Sequence, residues 1–320
     1  MSDFGEPQYL SFERLEALGI TTAEAVESIE HLVRARIDGK MWNAPKSALL
    51  LPDGRFFMST LAAADDPPFV SVKSLALNSR NPGRGQPLMS SLVTLLDSET
   101  GRPLAVLDGN WVTGVRTAAL SAVVARRLAR PDAATAAFIG CGVQARSHLR
   151  AFADLFPLKK VRALGRGSAN RDALCRAAAA MGLQAIESGS AREAVDGADL
   201  VVSSVTFSPD LEPMVDARWL PPGSFAAITD LALPWVEEGM SAFDTIVIDD
   251  LEQEAAMPKP MVRPEWVTSD LRGLIAGDLE DRGSDQERSA FVFRGLALGD
   301  LALAGLAYQR ARGQAASGRA

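Results

Sequence analysis

Gly140, Gly142 and Ala145 follow a short apolar run, Ala134 to Ile139, in the spacing Gly-x-Gly-x-x-Ala. Each position has a steric reason in a dinucleotide loop. The first glycine allows a tight turn, the second lets the backbone approach a pyrophosphate, and the small third residue lets the next helix lie close to the strand. Gln144 begins that helix, whose first N–H groups would face the phosphates. An NAD site usually has an Asp or Glu at the end of the second strand, to hold the ribose 2′-hydroxyl. Here that place reads Leu164-Gly165-Arg166-Gly167-Ser168, without an acid. Arg166 and Ser168 suit a 2′-phosphate, so the cofactor expectation is NAD or NADP with a tilt to NADP. Two alternatives stay open: Arg166 as a solvated surface cation, and an enzyme that takes either cofactor.

Other reactive side chains carry less. Cys141 lies in the turn near a helix N-terminus, where a thiol pKa can fall, yet a bound dinucleotide would cover it. His31 and His148 have no third ligand at metal spacing, so no metal site is expected. Asp249, Asp250, Glu252 and Glu254 read as a solvated acidic loop after a strand.

The glycine loop needs a scaffold, and the sequence around it supplies one. A strand over Ala134 to Ile139 leads through the turn into a helix over Gln144 to Phe156. The cycle repeats with a strand over Val161 to Leu164, an alanine-rich helix over Ala169 to Met181, a strand over Gln184 to Ile186 and a helix over Ala191 to Val195. Apolar runs at Asp199 to Ser203, Ser224 to Thr229 and Thr245 to Ile248 follow. Strands alternating with helices, without hairpin turns, predict an α/β fold with a Rossmann-type, doubly wound parallel sheet over 118–284.

Residues 1–117 have a different grammar. Thr22 is expected to cap a helix over Ala23 to Arg36, with Glu24 and Glu27 near its positive end and Arg34 and Arg36 near its negative end. Strand-like runs follow at Ser47 to Leu51, Phe56 to Thr60, Phe69 to Leu77, Ser90 to Asp97 and Pro103 to Asp108, separated by Gly-containing turns. These predict antiparallel or mixed pairing. Asp285 to Arg312 is mostly apolar at helical spacing, through Phe291, Leu296, Leu298, Leu301, Leu303 and Leu306, and Gly313 to Ala320 reads as a frayed tail. Residues 1–117 and 285–320 together are expected to form an α+β substrate and dimerisation domain.

Composition narrows the class. At roughly 150 residues per domain, 320 residues suggest about two domains. The 33 basic and 40 acidic side chains leave a net charge of −7, which would repel a phosphate backbone, so no nucleic-acid partner is expected. Cys141 and Cys175 are too few for a disulfide framework and fit a reducing compartment, with the cytoplasm as the expected location. The polar, acidic start and the absence of a long uncharged apolar run argue against export and against a membrane span.

Several further runs follow one another at close spacing: Val72-Lys73, Asn81 to Pro87, Asp97 to Ala105, Leu107 to Gly109, and Thr113 to Ala119. With Ile139 to Ala145, Asp230 and Phe291 to Asp300, this series resembles the ornithine cyclodeaminase and mu-crystallin family over most of the chain. The run ending Arg116-Thr117-Ala118-Ala119 is far more specific than a Gly-rich loop. The resemblance implies a homodimer with a split substrate and dimerisation domain plus a dinucleotide domain. Family members include cyclodeaminases, ketimine reductases, alanine dehydrogenases and related imino-acid reductases.

Carried onto this sequence, the resemblance implies that Lys73 and Arg116 meet the substrate carboxylate and that Asp230 donates or accepts a proton beside the reacting carbon. Those roles suit the residue types, since a guanidinium fork binds a carboxylate bidentately and an amine can neutralise or protonate a group near an imine. Surface ion pairs for Lys73 and Arg116, and a helix-capping role for Asp230 ahead of Pro234, are the alternatives. Val143, Gln144 and Thr206 match cofactor-contacting positions of the family.

The chain departs from the family at two places. Where members commonly carry an Arg after a Pro, it has Pro45-Lys46, which keeps the charge and loses the fork. Where the ornithine enzymes use a carboxylate to receive the distal amine, it has Phe56 and Phe57. Ornithine is thereby disfavoured. Lys46, Arg80 and Arg84, together with Lys73 and Arg116, could form a cationic pocket suited to a second carboxylate, with Arg80 and Arg84 as solvated loop charges the alternative. The reading is therefore NAD(P)H-dependent reduction of a small α-imino acid, dicarboxylic in its finer form, iminosuccinate to aspartate. The alternatives are redox-neutral ornithine cyclodeamination and a non-catalytic, mu-crystallin-like ligand-binding protein.

Overall fold

The computed structural model describes residues 6–206, 208 and 211–317. It divides into two compact units, one made of residues 6–116 and 296–317, the other of Thr117–Gly295.

The first unit begins with β1 (Gln8–Leu10), α1 (Phe12–Ala17), α2 (Thr22–Ile37), β2 (Met41–Asn43), β3 (Ser47–Leu50), β4 (Phe56–Asp65), β5 (Pro68–Leu77), β6 (Met89–Asp97) and β7 (Pro103–Asp108). Its strands form one mixed sheet in the order β1-β7-β6-β5-β4-β2, with β3 also paired to β4. Helix α2 starts one residue earlier than expected, because the cap is Thr21. Its hydroxyl accepts from Glu24 N–H while the Glu24 carboxylate accepts from Thr21 N–H, and this reciprocal box excludes Thr22 as cap. Cross-strand register aligns Thr60, Lys73, Val93 and Leu107 on one face, and all four are buried. The long C-terminal helix covers that face.

Helix α3 (Gly109–Leu128) follows β7 directly, with Asp108 accepting from Trp111 N–H at 2.8 Å at its start. The second unit then alternates β8 (Thr135–Ile139), α4 (Val143–Leu155), β9 (Lys160–Leu164), α5 (Ser168–Ala180), β10 (Gln184–Glu187), α6 (Ala191–Val195), β11 (Leu200–Ser203) and β12 (Phe225–Ile228). It continues through β13 (Thr245–Ile248), α7 (Leu251–Ala255), β14 (Ser269–Asp270), α8 (Leu271–Ala276) and β15 (Ser289–Val292). The eight strands are all parallel, in the order β10-β9-β8-β11-β12-β15-β13-β14. This is the α/β, doubly wound sheet expected from the sequence. The order turns back between β8 and β11, and in such sheets ligands bind at the carboxyl ends of the strands flanking that point.

One stretch corrects the sequence reading. Residues 285–312 do not form a single helical run, because Ser289–Val292 is a buried strand inserted between β12 and β13. A short apolar run buried on both faces has no distinguishing period, and the pairing of β15 keeps residues up to Gly295 with the second unit. Helix α9 (Ala297–Ser317) then lies across β4, β5 and β6 of the first unit, with α2 packed on it. It continues through Gly313 rather than fraying there; residues 318–320 lie outside the described residues. No helix among the described residues is long and apolar enough to cross a membrane.

Candidate functional site

At the switch point of the second sheet, Gly140 leaves β8 with φ +89°, and a Cβ there would lie 2.6 Å from the carbonyl oxygen of Ser204, just beyond β11. Only glycine fits that crossing. Gly142 caps α4 without a side chain, and a Cβ built on it would meet nothing within 4 Å, so its backbone borders open space. Ala145, Leu149 and Phe152 fall on the buried stripe of α4, which holds the helix against the sheet and directs its N-terminal end at the loop.

The resulting cleft has a volume of 290 Å³ and brings together Gly140, Gly142, Arg166 and Thr206, with Ser204, Val205 and Asn170 also lining it. Val143 and Gln144 are the first two residues of α4, and Ser168 is the first of α5. Arg166 is exposed and no acid stands at the end of β9. An uncapped helix start, a glycine cradle and a cation at the rim fit a dinucleotide. Cys141 donates to Leu164 O at 3.3 Å, and burial pushes its thiol up to about 11, which removes it as a nucleophile.

Asp230 follows β12 at the same edge. It is buried, and its carboxyl accepts from Ser203 Oγ at 3.0 Å on Oδ1 and from Val205 N–H at 3.0 Å on Oδ2. Burial pushes it up to about 6, against the hydrogen bonds from Val205 and Ser203. Its side chain caps no helix, so that alternative is set aside. Because Val205 both lines the cleft and donates to Asp230, a protonatable acid stands at the cleft's border.

The first unit holds a second constellation. Lys73 on β5 and Arg116 on α3 are both buried and converge on Asp300 in the first turn of α9, at 2.8 Å and 3.1 Å, and Thr60 Oγ1 donates to Asp300 at 3.0 Å. They are therefore not surface ion pairs. Burial, then the Arg116 charge, push Lys73 down to about 8, with Asp300 opposing and Lys46 adding to the fall. Burial would raise the Asp300 carboxyl, but Lys73 and Arg116 outweigh it and hold the group below the usual carboxylate range. Asp300 thus stays ionised while Lys73 is poised for proton exchange. Arg80 lies elsewhere, 3.8 Å from Asp53 on the surface, and Arg84 is exposed in the loop after β5.

Asp300 is the residue that sequence reasoning missed as part of this constellation. Its signal was present: one acid in the otherwise apolar stretch Leu296 to Leu303. The acidic run at Asp249 is solvated only in part, at Glu252. Asp249 and Asp250 are buried, Asp249 accepts from the backbone N–H groups of Arg294 and Gly295, Asp250 caps α7, and Glu254 pairs with Arg294. The strand β15 explains this, since it brings Arg294 and Gly295 beside the end of β13.

Comparison with known proteins identifies relatives over nearly the whole chain. The model of the ornithine cyclodeaminase/mu-crystallin family matches residues 8–315. An alanine dehydrogenase of Archaeoglobus fulgidus is 30% identical, over 96% of this chain and 95% of its own. The solved Δ1-pyrroline-2-carboxylate reductase of Thermococcus litoralis, in complex with NADH and L-proline, superimposes with a TM-score of 0.86 at 25% identity, over 96% of this chain and 98% of that one. An archaeal alanine dehydrogenase dimer with bound NAD gives 0.84 at 28%, over 96% and 97%. These relatives are named as a reductase and dehydrogenases of imino and amino acids, and the two solved ones hold NADH or NAD. The series of runs around Arg116-Thr117-Ala118-Ala119 is therefore what it resembled, and the chain belongs to the ornithine cyclodeaminase/mu-crystallin family.

Proposed function

We propose that the protein is an NAD(P)H-dependent oxidoreductase that reduces a small α-imino acid to the amino acid. The observation that carries this reading is the buried Asp230 carboxyl, raised to about 6, at the border of the glycine-loop cleft. A reduced nicotinamide, when bound, supplies a hydride. Gly140, Gly142, Val143, Gln144 and Thr206 hold the dinucleotide, and Asp230 moves the proton that the imine nitrogen gains or loses. Arg116 and Lys73 bind the substrate carboxylate, with Asp300 fixing their geometry and leaving the cluster net positive. Arg166 and Ser168 favour NADPH by meeting a 2′-phosphate.

A dicarboxylic substrate such as iminosuccinate rests on Lys46. Lys46 acts on Lys73, whereas Arg80 is beside Asp53 and Arg84 is exposed. Replacement of Lys46 by Met would then slow turnover of oxaloacetate with ammonium far more than that of pyruvate with ammonium.

A homodimer is part of the same proposal. Tyr9, Trp42, Leu49, Phe57, Leu61 and Leu92 are all exposed and lie on the face of the first sheet turned away from α9. A sheet face of that composition calls for cover, and a second copy is the occupant we favour, an archaeal alanine dehydrogenase of the same fold being described as a dimer.

Loss of reduced-nicotinamide absorbance is the direct test, with NADH and NADPH separately, against pyruvate, glyoxylate or oxaloacetate in ammonium and against cyclic imines. Oxidation with one of these is expected. Silence across the panel, with proline formed from ornithine at constant cofactor absorbance, would replace this reading with cyclodeamination; silence in both assays with the cofactor still bound would leave a binding protein.

A further inference from the structure

The loop that carries Asp230 returns a second side chain towards it. Leu231 and Ala232 both adopt left-handed backbone, at φ 60° and 58°, which costs an L-residue about 1–2 kcal/mol each. The pair closes two successive turns, Leu233 N–H donating to Asp230 O at 3.2 Å and Trp235 N–H to Ala232 O at 3.0 Å. The chain so doubled back delivers the Trp235 indole to the end of β11, where Nε1 donates to Ser203 Oγ at 2.9 Å. Phe243 packs on the indole, and Asp230, Ser203 and Trp235 are all buried.

An indole N–H can only donate. The Ser203 oxygen therefore receives the hydrogen of Trp235, and its own single proton is left for Asp230 Oδ1. The bonds run one way, from Trp235 through Ser203 to the carboxylate, and bonds in series polarise one another. Val205 N–H serves the other oxygen. Within this unit the groups acting on the carboxyl are these neutral donors and its own backbone N–H, with no charged side chain among the described residues of β11, β12 or the 230–235 turn contributing.

We propose that Ser203 and Trp235 are positioning residues for Asp230: the indole fixes the hydroxyl so that its proton faces Oδ1, and the hydroxyl holds the carboxyl in one orientation and in its ionised form. The effect on turnover rests on the role given to Asp230 above, whereas the relay itself is measurable without turnover.

Infrared difference spectroscopy on the full chain reads the protonated carboxyl band of Asp230, assigned as the band absent from Asp230→Asn, as a function of pH. Ser203→Ala removes the donor and is expected to raise the midpoint by about one pH unit. Trp235→Phe frees the hydroxyl to turn and accept from the protonated acid, and raises the midpoint by less. Trp235→Phe added to Ser203→Ala shifts it no further, while Ser203→Thr, which keeps the hydroxyl, stays near the starting value. Unchanged midpoints in the first two variants, or shifts that simply add, overturn the relay. Thermal unfolding checks each variant, and Ser203→Cys, a weaker donor of similar volume with the same expected direction, replaces Ser203→Ala if the latter does not fold. Turnover retained by Asp230→Asn would overturn the role assigned in the reaction, a result separate from the infrared midpoints.

Discussion

The Nζ of Lys73 lies 2.8 Å from Oδ1 of Asp300, a contact that spans 227 residues of sequence. Both groups are buried, so the pair is far more than a surface ornament of the first sheet: each charge depends on the other for its place in the interior. Asp300→Asn leaves Lys73 and Arg116 without that anion. A loss of about 3 kcal/mol in unfolding free energy is expected, read from urea transitions at neutral pH. A loss within a few tenths of the wild-type value would show that the cluster does not depend on Asp300.

In the proposed reaction the pH dependence of turnover follows Asp230. Reduction uses the protonated carboxyl, so kcat/KM for reduction should fall about tenfold per pH unit above its midpoint near 6, and amino-acid oxidation should rise over the same range. Asp230→Asn should abolish both while leaving cofactor affinity nearly unchanged by titration calorimetry. A flat reductive profile from pH 5 to 8 would contradict the assignment.

His148 gives a separate pH signature, in stability. Its Nδ1 is 2.8 Å from the Gln144 carbonyl, which can only accept, so Nδ1 carries the hydrogen and Nε2 accepts from Ser121 Oγ at 2.9 Å. Burial pushes the ring down to about 4 from the 6.5 of an unperturbed imidazole. The unfolded chain then binds the extra proton between those values. The contribution of the neutral ring is complete above pH 6.5 and is lost as pH falls towards 4, by about 3 kcal/mol in all. His148→Gln should flatten that part of the wild-type curve, and equal acid sensitivity of the two proteins would reject the account.

Arg166→Ala distinguishes the cofactors. Loss of a cation at the cleft rim should weaken NADPH binding by about tenfold or more and leave NADH within about twofold. Equal weakening of both would make Arg166 a general phosphate contact, and no weakening would make it a solvated surface cation.

The apolar sheet face predicts its own variant. Leu61 and Leu92 are 42% and 48% exposed on that face, and Leu61→Lys with Leu92→Lys places charges on both chains of a symmetric contact. Sedimentation should show a dimer for the wild type and a monomer for the double variant. A wild-type monomer would remove the dimer from the proposal.

Much of this was legible in the sequence, because it depended on local chemistry. The glycine spacing at Gly140, the strand–helix alternation around it and the capping of α2 all involve residues within a few positions of one another. The Thr21 for Thr22 shift shows the usual slack, since two adjacent threonines offer the same hydroxyl and only the position of Glu24 decides between them. What escaped depended on long-range pairing. Ser289–Val292 carries no periodic mark that separates a buried strand from a buried helical turn, and Asp300 gains its meaning only when β4, β5, α3 and α9 come together. Asp249 was misread for the same reason, because its donors lie more than forty positions away, whereas Asp250 is a local helix cap whose signal, Gln253 three residues on, was within reach.

The insertion of β15 between β12 and β13 also bears on how the chain is made. β12 and β13 are neighbours in sequence order, but β12 pairs with β11 while β13 joins the sheet only through β15. During synthesis from the N-terminus, every earlier strand of the second unit emerges before the one that joins its two parts. Until Ser289–Val292 is out, β12 presents an open, apolar edge, and β13 with β14 has no place to dock. The first unit waits longer still, since Lys73 and Arg116 are translated well over a hundred residues before Asp300. After β12 is made, the nascent chain therefore carries a first sheet whose strands are complete but uncovered by α9 and a second sheet still lacking β15, and residues 289–317 complete both units.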